Sequence, residues 1–185
     1  MDIADLGARA VAELGAVAAA VDPAAMERMV AAVAEARRIA LHGAGREGLM
    51  MKALAMRLFH LGLDAHVVGD MTTPPLGAGD LLLVSAGPGD LATVAALVGV
   101  ARRAGAQTAC FTAHLEGGVP RACDLALVLP AQTMADDQGG AGSVLPMGSL
   151  FEGAQFLVFE LLVLALRERL GESAETMRAR HTNLE

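Results

Sequence analysis

The sequence has no tryptophan and no tyrosine, and only five phenylalanines among 185 residues. A core poor in large rings must be filled by Ala, Val and Leu, and that suits closely packed helices laid on a parallel sheet. Acids outnumber bases, the net charge is -7, and no basic cluster occurs. Phosphate backbones are bound by grouped Lys and Arg, so a nucleic-acid partner is excluded. The two cysteines, Cys110 and Cys123, fall in apolar runs, with no CxxC pair and no Cys/His group at zinc spacing. They read as small core residues, and the fold needs neither disulfide nor metal. The N-terminus, MDIADLGARAVAELG, lacks the basic start and apolar centre of a signal peptide. The most apolar stretch, Phe156 to Leu166, is broken by Glu160 and falls short of a bilayer span. A cytoplasmic protein without a membrane segment is expected.

What is present is 54% hydrophobic, enough for one domain that buries roughly two thirds or more of its unfolded surface. Its organising stretch is Leu81 to Gly105. Leu81 to Val84 read as a buried parallel strand, Ser85 to Gly89 as a Gly/Pro turn, and Asp90 to Arg103 as a helix with the acid in its first turn. In an open α/β sheet a loop at the carboxyl end of a strand is where a ligand sits, and the free N–H groups of a helix start favour a negative group.

Around that centre, residues 3–20 and 24–36 read as two helices parted by Asp22-Pro23, each with one apolar stripe suited to burial against a second subunit. Arg38 to His42, Ala65 to Val68, Gln107 to Thr112 and Leu125 to Leu129 read as strands, with a long helix from the 43–48 turn to about His60. The order predicts a three-layer αβα sandwich with a five-stranded, mainly parallel sheet. Within one domain over 1–185 the parts are N-terminal helices (1–36), an αβ core (37–130), a polar Gly-rich active-site loop (131–148) and C-terminal helices (149–185). Ser149 and Glu152 open the long helix at capping-box spacing.

Gly43-Ala44-Gly45-Arg46-Glu47-Gly48 fits G-x-G-x-x-G between strand and helix, and Asp70 stands where an acid would bind a ribose. A dinucleotide site is therefore one reading. Against it, the second Gly-rich turn at 86–89 has no role in a single Rossmann half.

Several segments at consistent spacing resemble the SIS (sugar isomerase) domain, and within it the 6-phospho-3-hexuloisomerase family. They are Gly43-Ala44-Gly45-Arg46, Met56-Arg57-Leu58-Phe59-His60-Leu61-Gly62, Thr73-Pro74, Pro146-Met147-Gly148-Ser149-Leu150-Phe151-Glu152, and the tail Ala179-Arg180-His181-Thr182-Asn183-Leu184-Glu185. The resemblance implies a homotetramer built of dimers, active sites near subunit boundaries, and no metal or organic cofactor. It implies a shift of a carbonyl from C3 to C2 of a phosphorylated hexulose through an enediolate. On that resemblance Glu152 is the catalytic carboxylate, and His181 and His60 are candidates for the acid or for orienting the sugar. Gly45, Arg46, Glu47, Thr73, Ser85, Gly87, Gly89, Asp90 and Thr93 are the candidate substrate contacts.

The sequence departs from the family at the loop that would hold a phosphate. A typical SIS loop reads S-G-S-G-E-T, whereas the match here is Ala86-Gly87-Pro88-Gly89-Asp90-Leu91, and Glu47 stands where the isomerases usually carry serine. Hydroxyl donors are gone, Pro88 removes an amide, and Glu47 adds a like charge. The expected function is isomerisation of a sugar or sugar phosphate, with phosphorylated hexuloses bound poorly and a substrate that is either unphosphorylated at this end or carries a neutral or cationic group that Glu47 can meet. A non-catalytic SIS module that binds a sugar derivative is the second reading.

Overall fold

The computed structural model describes residues 2–137 and 142–184. Residues 138–141 of the Gly-rich loop lie outside that range. In chain order the elements are α1 (Ile3–Ala19), α2 (Pro23–Glu35), β1 (Ile39–His42), α3 (Gly45–His60), β2 (Ala65–Val67), β3 (Leu81–Ser85), α4 (Ala92–Arg103), β4 (Gln107–Thr112), α5 (Gly118–Ala122), β5 (Leu125–Val128), α6 (Ser149–Leu170) and α7 (Ala174–Ala179).

The five strands pair throughout in parallel, in the order β2-β1-β3-β4-β5. Successive side chains of a strand point to opposite faces. Leu81, Leu83, Ala109, Phe111 and Leu127 therefore join α2, α3 and α6 in one core, while Ala40, Leu82, Val84 and Cys110 meet α4 and α5 in a smaller one. Both faces are covered, which is why β3 reads as an unbroken apolar run rather than an alternation. The scarcity of rings is met as the composition predicts. The closest aromatic pair in the main core, Phe111 on β4 and Phe159 on α6, meets edge to face at 4.7 Å, and Ala, Val and Leu fill most of the rest.

Helix α6 is 22 residues long and apolar enough to cross a bilayer by length and composition, which the reading of Phe156 to Leu166 alone had set aside. Half of its most apolar window is buried, and it packs on α1, α2 and α3 as the central core helix. At the amino end of the sheet the buried Asp80 accepts from Arg37 Nε and Nη2, each at 2.9 Å, and from the Gly77 amide at 2.8 Å. That contact ties β1 to β3 at the edge away from the loops.

Two expectations about helix starts are corrected. Helix α4 begins at Ala92, so Asp90 is not in its first turn; Asp90 Oδ1 instead accepts the Gly118 amide at 2.7 Å and caps α5. Ser149 and Glu152 do not form a capping box, because the N-cap of α6 is Gly148, in a left-handed conformation at φ 81°. A reciprocal box does occur at α7, between Ser173 and Thr176.

The glycine hexapeptide acts first as a packing device. A Cβ on Gly48 would lie 2.4 Å from the Gly43 carbonyl oxygen, and a Cβ on Gly43 would lie 2.9 Å from the Gly48 amide nitrogen. Strand β1 thus turns into α3 with its backbone pressed against the first turn of the helix. Gly48→Ala is expected to cost roughly 1–3 kcal/mol, as overpacking does. Denaturant melts check this, and a midpoint equal to wild type would show that the strand and helix can separate freely.

Candidate active site

The carboxyl ends of the strands open onto a cavity of about 470 Å³ walled by Arg46, Glu47, Pro88, Thr133, Phe151 and Glu152, among others. Three helices start on its wall. Their N-cap residues are Ala44, Leu91 and Gly148, and none supplies a side-chain cap. Helices α1, α2 and α7, which start elsewhere, are capped by Asp2, Asp22 and Ser173. The first amides of a helix need acceptors, and around this cavity the side chains at the caps do not provide them.

Glu152 lies in the first turn of α6, its side chain 14% exposed. Its Oε2 stands 3.0 Å from Arg46 Nε, yet accepts no hydrogen bond from the described residues. Arg46 Nη1 donates to Ser149 Oγ at 2.9 Å, so the guanidinium bridges α3 to the start of α6. Burial pushes the Glu152 carboxyl above its usual range, and Arg46 draws part of that back. A carboxyl raised in this way takes up a proton more readily than one in water.

Glu47 enters from the first turn of α3. Its Oε2 accepts from the Ser85 hydroxyl and, at 3.0 Å, from the Gly87 amide. Burial raises its pKa, those two bonds oppose the rise, and the charge of Glu152 adds to it. Ser85 and Gly87, named as substrate contacts, are thus engaged by a side chain of the protein itself.

The other candidates are placed differently. Gly45, at φ 56°, lines the cavity beside Arg46. Gly89, at φ 82°, is required by packing, since a Cβ there would meet the His114 carbonyl oxygen at 2.9 Å. Thr93 is exposed on α4. Thr73 donates to the Val67 carbonyl at 2.6 Å and borders a separate apolar pocket with Pro74 and Leu97. Asp70 is exposed in a turn and does not reach the cavity.

His60 and His181 come together, with ring centroids 5.3 Å apart, in a second cavity shared with Arg57, Arg167 and Arg178. They lie at the far end of α3 from Arg46, roughly 20 Å along the helix axis. Within one chain the structure does not bring them to Glu152.

Sequence reasoning passed over the far wall. Thr133, Met134 and Met147 line the cavity. Asp136 holds this strip, accepting from the Thr133 hydroxyl at 2.8 Å and pairing with His114 Nε2 at 2.8 Å. On the other side of the loop, Glu13 of α1 takes the Ser143 hydroxyl at 2.5 Å. Met147, at φ 53°, is the one non-glycine residue with positive φ among those described, and it stands at the entry to α6. The length of a polar loop signalled a cover, but nothing in it signalled which residues face inward. Gln155, fully buried one turn beyond Glu152 with neither amide atom partnered among the described residues, was also missed. Its only signal was a lone amide inside an apolar helix.

No family model matches the chain. It is 38% identical over 173 residues to the 3-hexulose-6-phosphate isomerase of Mycobacterium gastri, covering 94% of this chain and 86% of that one. It is 38% identical over 143 residues to the enzyme of the same name from Bacillus subtilis (strain 168), covering 77% of each. In three dimensions it superposes, with a TM-score of 0.83 and 24% identity over the whole of both chains, on a hypothetical protein from Methanococcus jannaschii inferred to be a 3-hexulose-6-phosphate isomerase. That last likeness speaks to the fold.

Because Arg46 is the cation that opposes the effect of burial on Glu152, Arg46→Ala should move the Glu152 titration to higher pH. Carboxyl-carbon NMR of the wild type and the variant reads this directly, and a shift to lower pH would contradict the electrostatic account of the pair.

Proposed function

Starting from a chain that belongs to the 3-hexulose-6-phosphate isomerase family, we propose that Glu152 is the base that moves the substrate's carbonyl between adjacent carbons. The protein is a sugar-phosphate isomerase, an intramolecular oxidoreductase of SIS type. That membership sets aside the dinucleotide site and the non-catalytic binding module.

The reaction needs a base beside the carbonyl and a proton returned at the neighbouring carbon. Glu152 takes the proton from the carbon next to the carbonyl, the electron pair forms the enediolate, and reprotonation one carbon along leaves the carbonyl shifted from C3 to C2. The substrate is oxidised at one carbon and reduced at the next, so the balance closes within it. The observation that carries the assignment is the Glu152 carboxyl on the cavity wall, shielded from solvent, raised in pKa and held at Oε2 by an ion pair with Arg46 but by no hydrogen bond among the described residues. Arg46, held over the same cavity by Ser149, is placed to steady the enediolate oxygen.

The acid is assigned to the His60 and His181 pair. They are remote from Glu152 in their own chain, so the site is shared: His181, the exposed member, reaches the cavity of a partner copy, and the buried His60 stacks behind it. Apolar side chains on the outer surfaces support a homo-oligomer. Phe59 on α3, Phe156 and Leu164 on α6, and Ile3 and Val11 on α1 are each about half exposed or more. A cytoplasmic setting suits the two free thiols.

Glu152→Gln should lower turnover by about 10² or more. It should keep the native fold, because residue 152 caps nothing and Gln still faces Arg46, with only a small shift of the melt from loss of the ion pair. Near-normal exchange of the C2 proton in this variant would remove Glu152 from the mechanism. Mixing inactive Glu152→Gln with inactive His181→Ala protein, after dissociation and reassembly, should restore part of the activity through hybrid sites. No recovery from an oligomer shown by light scattering to have exchanged subunits would place the acid elsewhere.

A further inference from the structure

The loop after β3 is placed where an anion would sit, and its Ser85 hydroxyl and Gly87 amide are already in use, which leaves only the uncapped first amides of α4. Ser85 Oγ and the Gly87 amide both donate to Glu47 Oε2. Pro88, next in the loop and on the cavity wall, has no N–H to offer. Asp90 is turned away to the Gly118 amide. Glycine at 87 is what admits the carboxylate, since a Cβ there would lie 2.8 Å from Glu47 Oε1 and 2.9 Å from the Phe151 ring. An incoming phosphate would have to displace Glu47 or stand beside it, with Glu152 adding a second negative charge on the same wall. Arg46 turns Nε to Glu152 and Nη1 to Ser149, and its remaining Nη2 is the donor that the enediolate oxygen needs.

We infer that Glu47 is a specificity-determining residue: the protein's own carboxylate fills the anion seat of the β3–α4 loop, so that end of the cavity takes the hydroxyl end of the sugar. Glu47 Oε1, which accepts no hydrogen bond from the described residues, receives a sugar hydroxyl. The phosphate of the substrate then lies at the end of the sugar away from Glu47. This rests on the cavity being the sugar site, but it concerns which end enters first and not which residue is the base.

Calorimetric titration with orthophosphate tests it. The wild type should show no binding that depends on Ser85. Glu47→Ser should free the loop donors and gain phosphate affinity by about tenfold or more, the worth of a single charge-assisted hydrogen bond. Adding Ser85→Ala should cancel that gain. Glu47→Gln keeps the side-chain shape and removes only the charge. It should bind phosphate more tightly than wild type, and it decides the matter if Glu47→Ser does not fold. Wild-type phosphate binding that Ser85→Ala abolishes would overturn the inference, as would an unchanged phosphate affinity in a folded Glu47→Ser or, failing that, in Glu47→Gln. These titrations read binding alone, so full activity in Glu152→Gln would sink the catalytic assignment and leave them untouched.

Discussion

The burial of α6 against the sheet is the constraint on which the rest depends. Leu150, Phe151, Ala154, Val158, Phe159, Leu162 and Leu166 are all sunk in the main core. Phe159 locks onto Phe111 of β4, while α1, α2 and α3 close over the outer sides of the helix. A helix held along its length by close packing has little freedom to slide or turn. Its first residues are therefore fixed relative to the carboxyl ends of β1 and β3. Glu152 owes its position to that packing, and Phe151 beside it forms cavity wall and core at once.

Electrostatics at the cavity is a contest between two carboxylates and one guanidinium. Glu152 is paired with Arg46 across 3.0 Å, and the charge of Glu47 is stabilised by two hydrogen bonds donated from the β3 loop. Burial penalises both charges, and neither would persist in an apolar wall without those partners. The two acids differ in what is left over. Glu47 spends Oε2 on two hydrogen bonds from the loop, whereas Glu152 Oε2 has only the ion pair with Arg46. The first is held as a fixture of the loop, and the second is the less constrained of the two.

Much of the fold was legible in the residues. The apolar run of β3, the Asp22-Pro23 start of α2 and the Gly171 stop of α6 each have a local cause, and the observed elements agree with them to within a residue or two. The helix starts were harder to read. Ser149 and Glu152 have the spacing of a capping box, but two consecutive left-handed residues, Met147 and Gly148, bring the chain in at an angle that puts the cap at Gly148. Asp90 has the composition of a first-turn acid, but the Gly89 turn aims it at α5. In both cases a backbone turn set by neighbouring segments overrode the local pattern.

At the site, the residues by themselves determined that a Gly/Pro loop follows β3 and that Glu152 opens a long helix, and the family resemblance added that Glu47 brings a charge where a hydroxyl is usual. Those are facts of spacing and residue type along one stretch of chain. Only the tertiary structure decided that Glu47 reaches across 38 residues to Ser85, that Arg46 bridges to Ser149 across 103, and that His60 and His181 stack far from Glu152. The physical reason is that local sequence sets backbone conformation within a few residues. Which side chains share a cavity follows from how α3, the β3 loop and α6 are packed against one sheet, and no short window of sequence contains that information.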